Sequence, residues 1–170
     1  MKSENKTLKK MPLPIIRDTR EQDGFLFAGF NATVTDGTLT SGDYSVRGFE
    51  NRIAIERKSL DDLIGSISTG RERFERELCR LAGLDVAMVV VEAPLIALRQ
   101  HRYKSRMEPK AAEQSCWCFQ QRHMIPFHFA GDKADAEAFT FDTLRHYTRD
   151  RWKELTALER DWKTVEESQV

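Results

Sequence analysis

The tripeptide Gly42-Asp43-Tyr44 and the run Glu56-Arg57-Lys58 supply two carboxylates and an ammonium, with Glu56 thirteen positions after Asp43. The segment Arg52-Ile53-Ala54-Ile55-Glu56-Arg57-Lys58 reads as a strand, because its isoleucines stand two apart before the polar residues begin. Alternate side chains of a strand share a face, so Glu56 and Lys58 point one way with Ala54, and Arg57 points the other way with Ile53 and Ile55. A strand-turn-strand between Asp43 and Glu56 allows the two acids to sit side by side across a hairpin. Carboxylates that near repel, and a hard cation bound by oxygen, Mg²⁺ or Mn²⁺, is the natural compensation. The chemistry outlined is that of a metal held against a phosphate.

Other residues frame this pair, and each also has a plainer reading. Asp43 after a glycine fits a turn residue, and Glu56 fits a salt bridge to Lys58 or Arg20. Lys58 suits an electrostatic role beside the scissile phosphate better than that of a base, since neighbouring carboxylates favour its charged form. Asp18 is a candidate third carboxylate and Arg20 a candidate phosphate clamp, both at the end of the first strand, where a solvated charged turn is the alternative. Arg57 suits either a pairing with Asp62 or Glu75 or a phosphate contact. Asp62 fits a helix cap, and Arg71 and Arg73 fit either solvent or a DNA backbone. Arg99, Arg102, Lys104 and Arg106 form a basic stretch able to meet backbone phosphates outside the centre, or to stand in water.

These residues need elements to hold them. Leu13 to Asp18 reads as a first strand, Ala32 to Leu39 as a second with a bend at Asp36-Gly37, and Asp43 to Val46 as a third. The links are short, and the first half reads as antiparallel-capable. Ser59 with Asp62 three residues on fits a capping box opening a helix whose apolar face is Leu60, Leu63, Ile64 and Ile67. Ser68-Thr69-Gly70 breaks it, and Phe74, Leu78 and Leu81 continue at helical spacing to Gly83. Val86 to Val91 is a nearly unbroken apolar run, as in a central strand covered on both faces. A helix is expected from Pro109 to about His123, an edge strand from Ile125 to Ala130, and helix from Asp132 onward. The architecture predicted is α/β, a mixed β-sheet flanked by α-helices.

A chain of 170 residues is expected to form one domain over 13–148, after a disordered lead-in at 1–12 and before a charged helical tail at 149–170. On that tail Leu155, Leu158, Trp162 and Val165 make an apolar stripe that either folds back or meets a second copy. No apolar run approaches a membrane span and no apolar signal core is present, so no membrane partner and a cytoplasmic location are expected. The zero net charge argues against a generic nucleic-acid coat but not against a nuclease. Cys79, Cys116 and Cys118 suggest free thiols, buried or partly buried, rather than a zinc site. His101, His123, His128 and His146 lack ligand spacing, no phosphate-binding Gly-Lys loop appears, and no nucleotide cofactor is expected.

Asp18-Thr19-Arg20-Glu21, Gly42-Asp43-Tyr44, Glu56-Arg57-Lys58-Ser59-Leu60-Asp61-Asp62 and Gly70-Arg71 together resemble the nuclease domain of the XPF family of structure-specific endonucleases, to which the archaeal Hef proteins also belong. The likeness covers roughly Pro14 to Tyr147 and is strongest from Asp18 to Arg71. It implies a restriction-endonuclease-like fold and Mg²⁺- or Mn²⁺-dependent hydrolysis of DNA near branches or flaps, in repair or recombination. It implies Asp18, Asp43, Glu56 and the Arg57 carbonyl as metal ligands, Lys58 as catalytic, and Arg20, Arg57 and Asp62 as supports. It also implies a homodimer through the nuclease domain. The paired helix-hairpin-helix module and the helicase domain of many members do not appear, so a free-standing phage or bacterial type is expected, with a catalytically inactive DNA-binding subunit or an RNA-cutting enzyme as the rivals.

Overall fold

A computed structural model of the chain describes residues 11–167, with side chains to Lys163. The expected lead-in up to Lys10 and the Val165 side chain lie outside the described residues. Six strands, β1 (Leu13–Asp18), β2 (Ala32–Gly37), β3 (Tyr44–Val46), β4 (Ile53–Lys58), β5 (Val86–Val91) and β6 (Phe127–Phe129), form one sheet in the order β2-β1-β3-β4-β5-β6. Five helices accompany them: α1 (Leu60–Ile67), α2 (Arg71–Leu81), α3 (Leu95–Arg99), α4 (Pro109–His123) and α5 (Lys133–Glu167).

Strand β3 runs antiparallel to both β1 and β4, whereas β1 with β2, β4 with β5 and β5 with β6 are parallel. The C-terminal ends of β1, β4 and β5 therefore meet at one edge of the sheet. In open α/β sheets that edge is where ligands bind. The antiparallel reading of the first half thus holds for β3 and fails for β2, which also ends at Gly37 rather than Leu39. Parallel neighbours need a crossover of a dozen or so residues, usually a helix. Residues 19–31 do this without one, by burying Phe25 and Phe27 against Tyr44. Nothing in the period of that segment announces a crossover.

The strand alternation of β4 divides two cores. Ala54 belongs to the cluster under α1, α2 and α4, with Leu63, Ile64, Leu78 and Phe119. Ile53 and Ile55 belong to the opposite cluster, with Phe25, Tyr44 and the α5 residues Ala136, Phe141 and Leu144. Strand β5 fills both, its Val89, Val90 and Val91 wholly buried as its apolar run requires. Helix α1 starts where Ser59 Oγ accepts the Asp62 N–H at 3.1 Å, and α4 opens on Pro109. β6 is an edge strand, as Pro126 beside it suggests.

Helix α5 is continuous through the position where a tail was expected to begin. Its packed face ends near Tyr147, and Trp152, Leu155, Leu158 and Trp162 are exposed. None of the helices among the described residues is long and apolar enough to cross a membrane.

Candidate active site

Strand β3 pairs with β4 at Tyr44 and Ile55, and the next backbone bond runs from Asp43 N–H to the Ile55 carbonyl at 2.8 Å. Beyond that point a side chain replaces the ladder. Asp43 Oδ2 accepts the Arg57 N–H at 2.7 Å, so the acid of one strand is fastened to the backbone of the next. Asp43 lies one residue before β3, not within it. Gly42 makes the approach possible. Its φ is +74°, and a Cβ there would stand 2.9 Å from Ala54 Cβ and 3.1 Å from the Ile55 carbonyl oxygen. The Gly42 N–H donates to Glu77 Oε1 of α2 at 3.1 Å.

The alternation read from the sequence is observed. Glu56 and Lys58 lie on the face of Ala54, joined by an ion pair of 2.8 Å, with the Lys58 ammonium 5.0 Å from the centre of the Phe74 ring. Arg57 lies on the other face, 5.6 Å from the Phe25 ring centre. Its partners are neither Asp62 nor Glu75. Nε and Nη2 donate to the two Glu92 oxygens at 2.7 and 2.8 Å, and Nη1 donates to Glu21 Oε1 at 3.0 Å. The side chain is 9% exposed, so the guanidinium is held within the protein rather than offered to a phosphate. Burial opposes its charge, and Glu92 and Glu21 outweigh burial and raise its pKa.

Asp43 is half-buried, and burial first, then the charge of Glu56, pushes its carboxyl from an ordinary 3.8 up to about 8. The Arg57 N–H and Lys58 act the other way without cancelling this. The site therefore carries an acid pair that excess positive charge would relieve. Two hard carboxylates suit Mg²⁺ or Mn²⁺, which is commonly held by one or two carboxylates, waters and substrate phosphate. Among the described residues no three His, Cys, Asp or Glu side chains gather as a metal-holding group.

Asp18 is accordingly not gathered with the pair. It is 1% exposed; Oδ1 accepts Arg20 Nε at 2.6 Å and the Arg20 N–H at 2.9 Å, and Oδ2 accepts the Leu39 N–H at 2.7 Å. Burial works against its charge, but Arg20 and the two backbone N–H groups prevail and hold its carboxyl below the usual range. Arg20, on the surface, also feels the charges of Glu77 and Asp43, which places it at the rim of the site.

Asp62 accepts the Ser59 hydroxyl at 2.6 Å and completes the α1 cap. Arg71 is partly buried, 4.5 Å from the Phe119 ring centre, while Arg73 is exposed. Arg99 is bound to Glu113 at 2.6 Å. Arg102, Lys104 and Arg106 are exposed, and the Lys104 N–H donates to Asp61 Oδ1 at 2.8 Å, so the basic loop borders the start of α1. All three cysteines are free, but only Cys116 is buried. Glu92 and Glu77 escaped the sequence reading. For Glu92 a signal existed, a lone acid ending the central apolar strand; for Glu77, on a charged helix, there was none.

A mixed six-stranded sheet flanked by helices, with an acid pair and a lysine where β3 and β4 part, is consistent with a restriction-endonuclease-like fold. The profile of the ERCC4 domain matches residues 17–142, and the chain belongs to the ERCC4 domain family, that of the XPF nucleases. The fold is similar to that of XPF from Aeropyrum pernix, with a TM-score of 0.63 and 22% identity over 79% of this chain and 61% of that one. XPF from Aeropyrum pernix in complex with DNA gives 0.63 and 21% over 82% of this chain and 66% of that one. The chain thus spans less than two thirds of each of these two structures. No curated protein sequence matches it.

The folded chain keeps the Asp43 proton up to about pH 8, while the unfolded chain loses it near pH 4. Between those values the unfolded state binds fewer protons, so metal-free stability contributed by this group falls as pH rises. Asp43→Asn keeps an acceptor for the Arg57 N–H and is expected to gain more than about 1 kcal/mol over wild type at pH 7.5, a tenfold displacement of a proton equilibrium being about 1.4 kcal/mol. The gain should shrink toward pH 5. Urea unfolding in EDTA across that range checks it, and an equal response of both proteins contradicts it.

Proposed function

We propose that the chain is a Mg²⁺- or Mn²⁺-dependent DNA endonuclease that hydrolyses phosphodiester bonds at branched or flap DNA in repair or recombination. The observation that carries this reading is the placement of Asp43, one residue before β3 and fastened to the Arg57 N–H at 2.7 Å, beside the strand that carries Glu56, itself paired with Lys58 at 2.8 Å. Asp43, Glu56 and the Arg57 main-chain carbonyl hold the cation in this reading, and Asp18 contributes by fixing Arg20. A cation bound there supplies Lewis acidity toward a phosphoryl oxygen and toward a water. Lys58 places its charge on the face that meets the scissile phosphate and stabilises the negative charge that grows there. Arg20 offsets charge from the rim, and the Asp43 bond to the Arg57 N–H keeps the acids at a fixed spacing. Asp62 sets the start of α1 behind the strand, and Arg71, Arg99 and the exposed basic loop extend the surface along the DNA backbone. The free thiols suit a reducing cytoplasm, where we place the protein.

Glu56→Gln is expected to slow Mg²⁺-dependent cleavage by about a hundredfold or more, since loss even of a residue behind a metal ligand costs about 10–100-fold. DNA affinity in EDTA should be unchanged. A panel of flap, fork, junction, duplex and single-stranded DNA, with RNA alongside, checks this with each metal. Full activity of the variant overturns the site. A wild-type protein that binds DNA yet cuts nothing in the panel is instead an inactive DNA-binding subunit.

Replacing Arg102, Lys104 and Arg106 together by Ala is expected to weaken DNA binding and to flatten the dependence of log K on log salt by up to about 0.9 for each phosphate that the loop neutralises. An unchanged slope, measured by fluorescence anisotropy, places the loop away from DNA.

We further propose that the protein works as a homodimer, a reading supported by the exposed Trp152, Leu155, Leu158 and Trp162 on α5. Sedimentation velocity should show dimers at high concentration; monomers throughout would remove the second copy.

A further inference from the structure

Past Ile55 the strand that carries Glu56 and Lys58 has no backbone partner on the β3 side, while on the β5 side its ladder runs on to Lys58 opposite Val91, and two acids fasten its end. Asp43 grips the Arg57 N–H on one flank. On the other flank Glu92, the residue after β5, holds the same short segment twice. Its N–H donates to the Lys58 carbonyl at 2.9 Å, and its carboxylate takes both arms of the Arg57 guanidinium. Both side chains of that fork are 9% exposed, and Glu21 closes the third side at 3.0 Å. The rotation of a strand about its axis decides where alternate side chains point. A fork that pins Arg57 on one face therefore acts with the β5 ladder to hold the direction of Glu56 and Lys58 on the other. Arg57 is enclosed by Glu21 and Glu92, with Asp23 3.5 Å from Nη2 and itself paired to Lys133 at 2.8 Å, so the pin is also tied to the loop after β1 and to the start of α5.

We propose that Glu92 is a positioning residue for phosphodiester hydrolysis, acting through Arg57 to fix the pose of Glu56 and Lys58 without touching substrate or metal. This rests on the nuclease reading of the site. Lysine at 57 would keep the charge and lose the fork, because an ammonium cannot bridge two oxygens in one plane.

The test uses the full chain. Glu92→Gln is expected to lower the single-turnover cleavage rate at saturating DNA by about 10–100-fold, with the DNA dissociation constant within about twofold of wild type. Arg57→Gln should do the same, and the double variant should be no slower than Arg57→Gln within about threefold, since both changes break one fork. Amide exchange followed by NMR should speed up at least about tenfold at residues 57 and 92, with Leu63 and Val89 unchanged. A Glu92→Gln rate within about twofold of wild type overturns the proposal, and so does a double variant as slow as the product of the singles. Arg57→Lys serves where Glu92→Gln does not fold, with the same expected rate and exchange. A wild-type protein that cuts nothing sinks the nuclease reading, and local exchange at 57 and 92 in the variant then still supports the clamp. Unchanged exchange there overturns it.

Discussion

The hydrogen bond from the Arg57 N–H to the Asp43 carboxylate is the contact on which the site depends. It falls where the β3–β4 ladder stops, and it makes a side chain do what a backbone carbonyl does elsewhere in the sheet. Asp43 is thereby fixed within reach of Glu56, and the cost appears in its raised carboxyl. Gly42 is the condition for this bond, since a side chain there would meet Ala54 and the Ile55 carbonyl before Asp43 could arrive. The site is thus built by a close approach of backbones, and the charges follow from it.

Charge on the two faces of β4 is balanced in different ways. On the Ala54 face two acids share one ammonium, so that face lacks positive charge. On the Ile55 face one guanidinium meets Glu21 and Glu92 in a setting where every donor arm has an oxygen. The first arrangement is unfinished and suits an incoming cation; the second is closed and suits a structural pin. A buried guanidinium stripped of a partner is expensive, so the pin resists rearrangement. Alternation along three residues is what separates the reactive face from the fixed one.

The period of two in Ile53-Ala54-Ile55-Glu56-Arg57-Lys58 is enough to place Glu56 with Lys58 and to set Arg57 apart. The apolar run of β5, the cap at Ser59 and the Pro109 start of α4 are legible for the same reason: each is a local rule with a local signature. What stayed hidden depends on distant partners. The parallel pairing of β1 with β2 rests on Phe25 and Phe27 filling a crossover without helical period. Arg57 finds Glu21 and Glu92, 36 and 35 positions away, although the acids Asp62 and Glu75 stand closer along the chain. Asp18 is legible as a strand-end acid, but its capture by Arg20 and the Leu39 N–H required the fold.

That capture bears on how few ligands the site needs. Asp18 gives its oxygens to donors already in place, and the half-buried pair Asp43 and Glu56 is left with one ammonium between them. Hard divalent cations that keep several waters need only one or two carboxylates when a phosphate completes the shell. In the nuclease proposed above, a cation held by Asp43 and Glu56 would bind best with a phosphate present, and metal occupancy would then be coupled to the nucleic acid. Asp18, its oxygens taken by Arg20 and the Leu39 N–H, acts on that edge through Arg20, which feels the charge of Asp43.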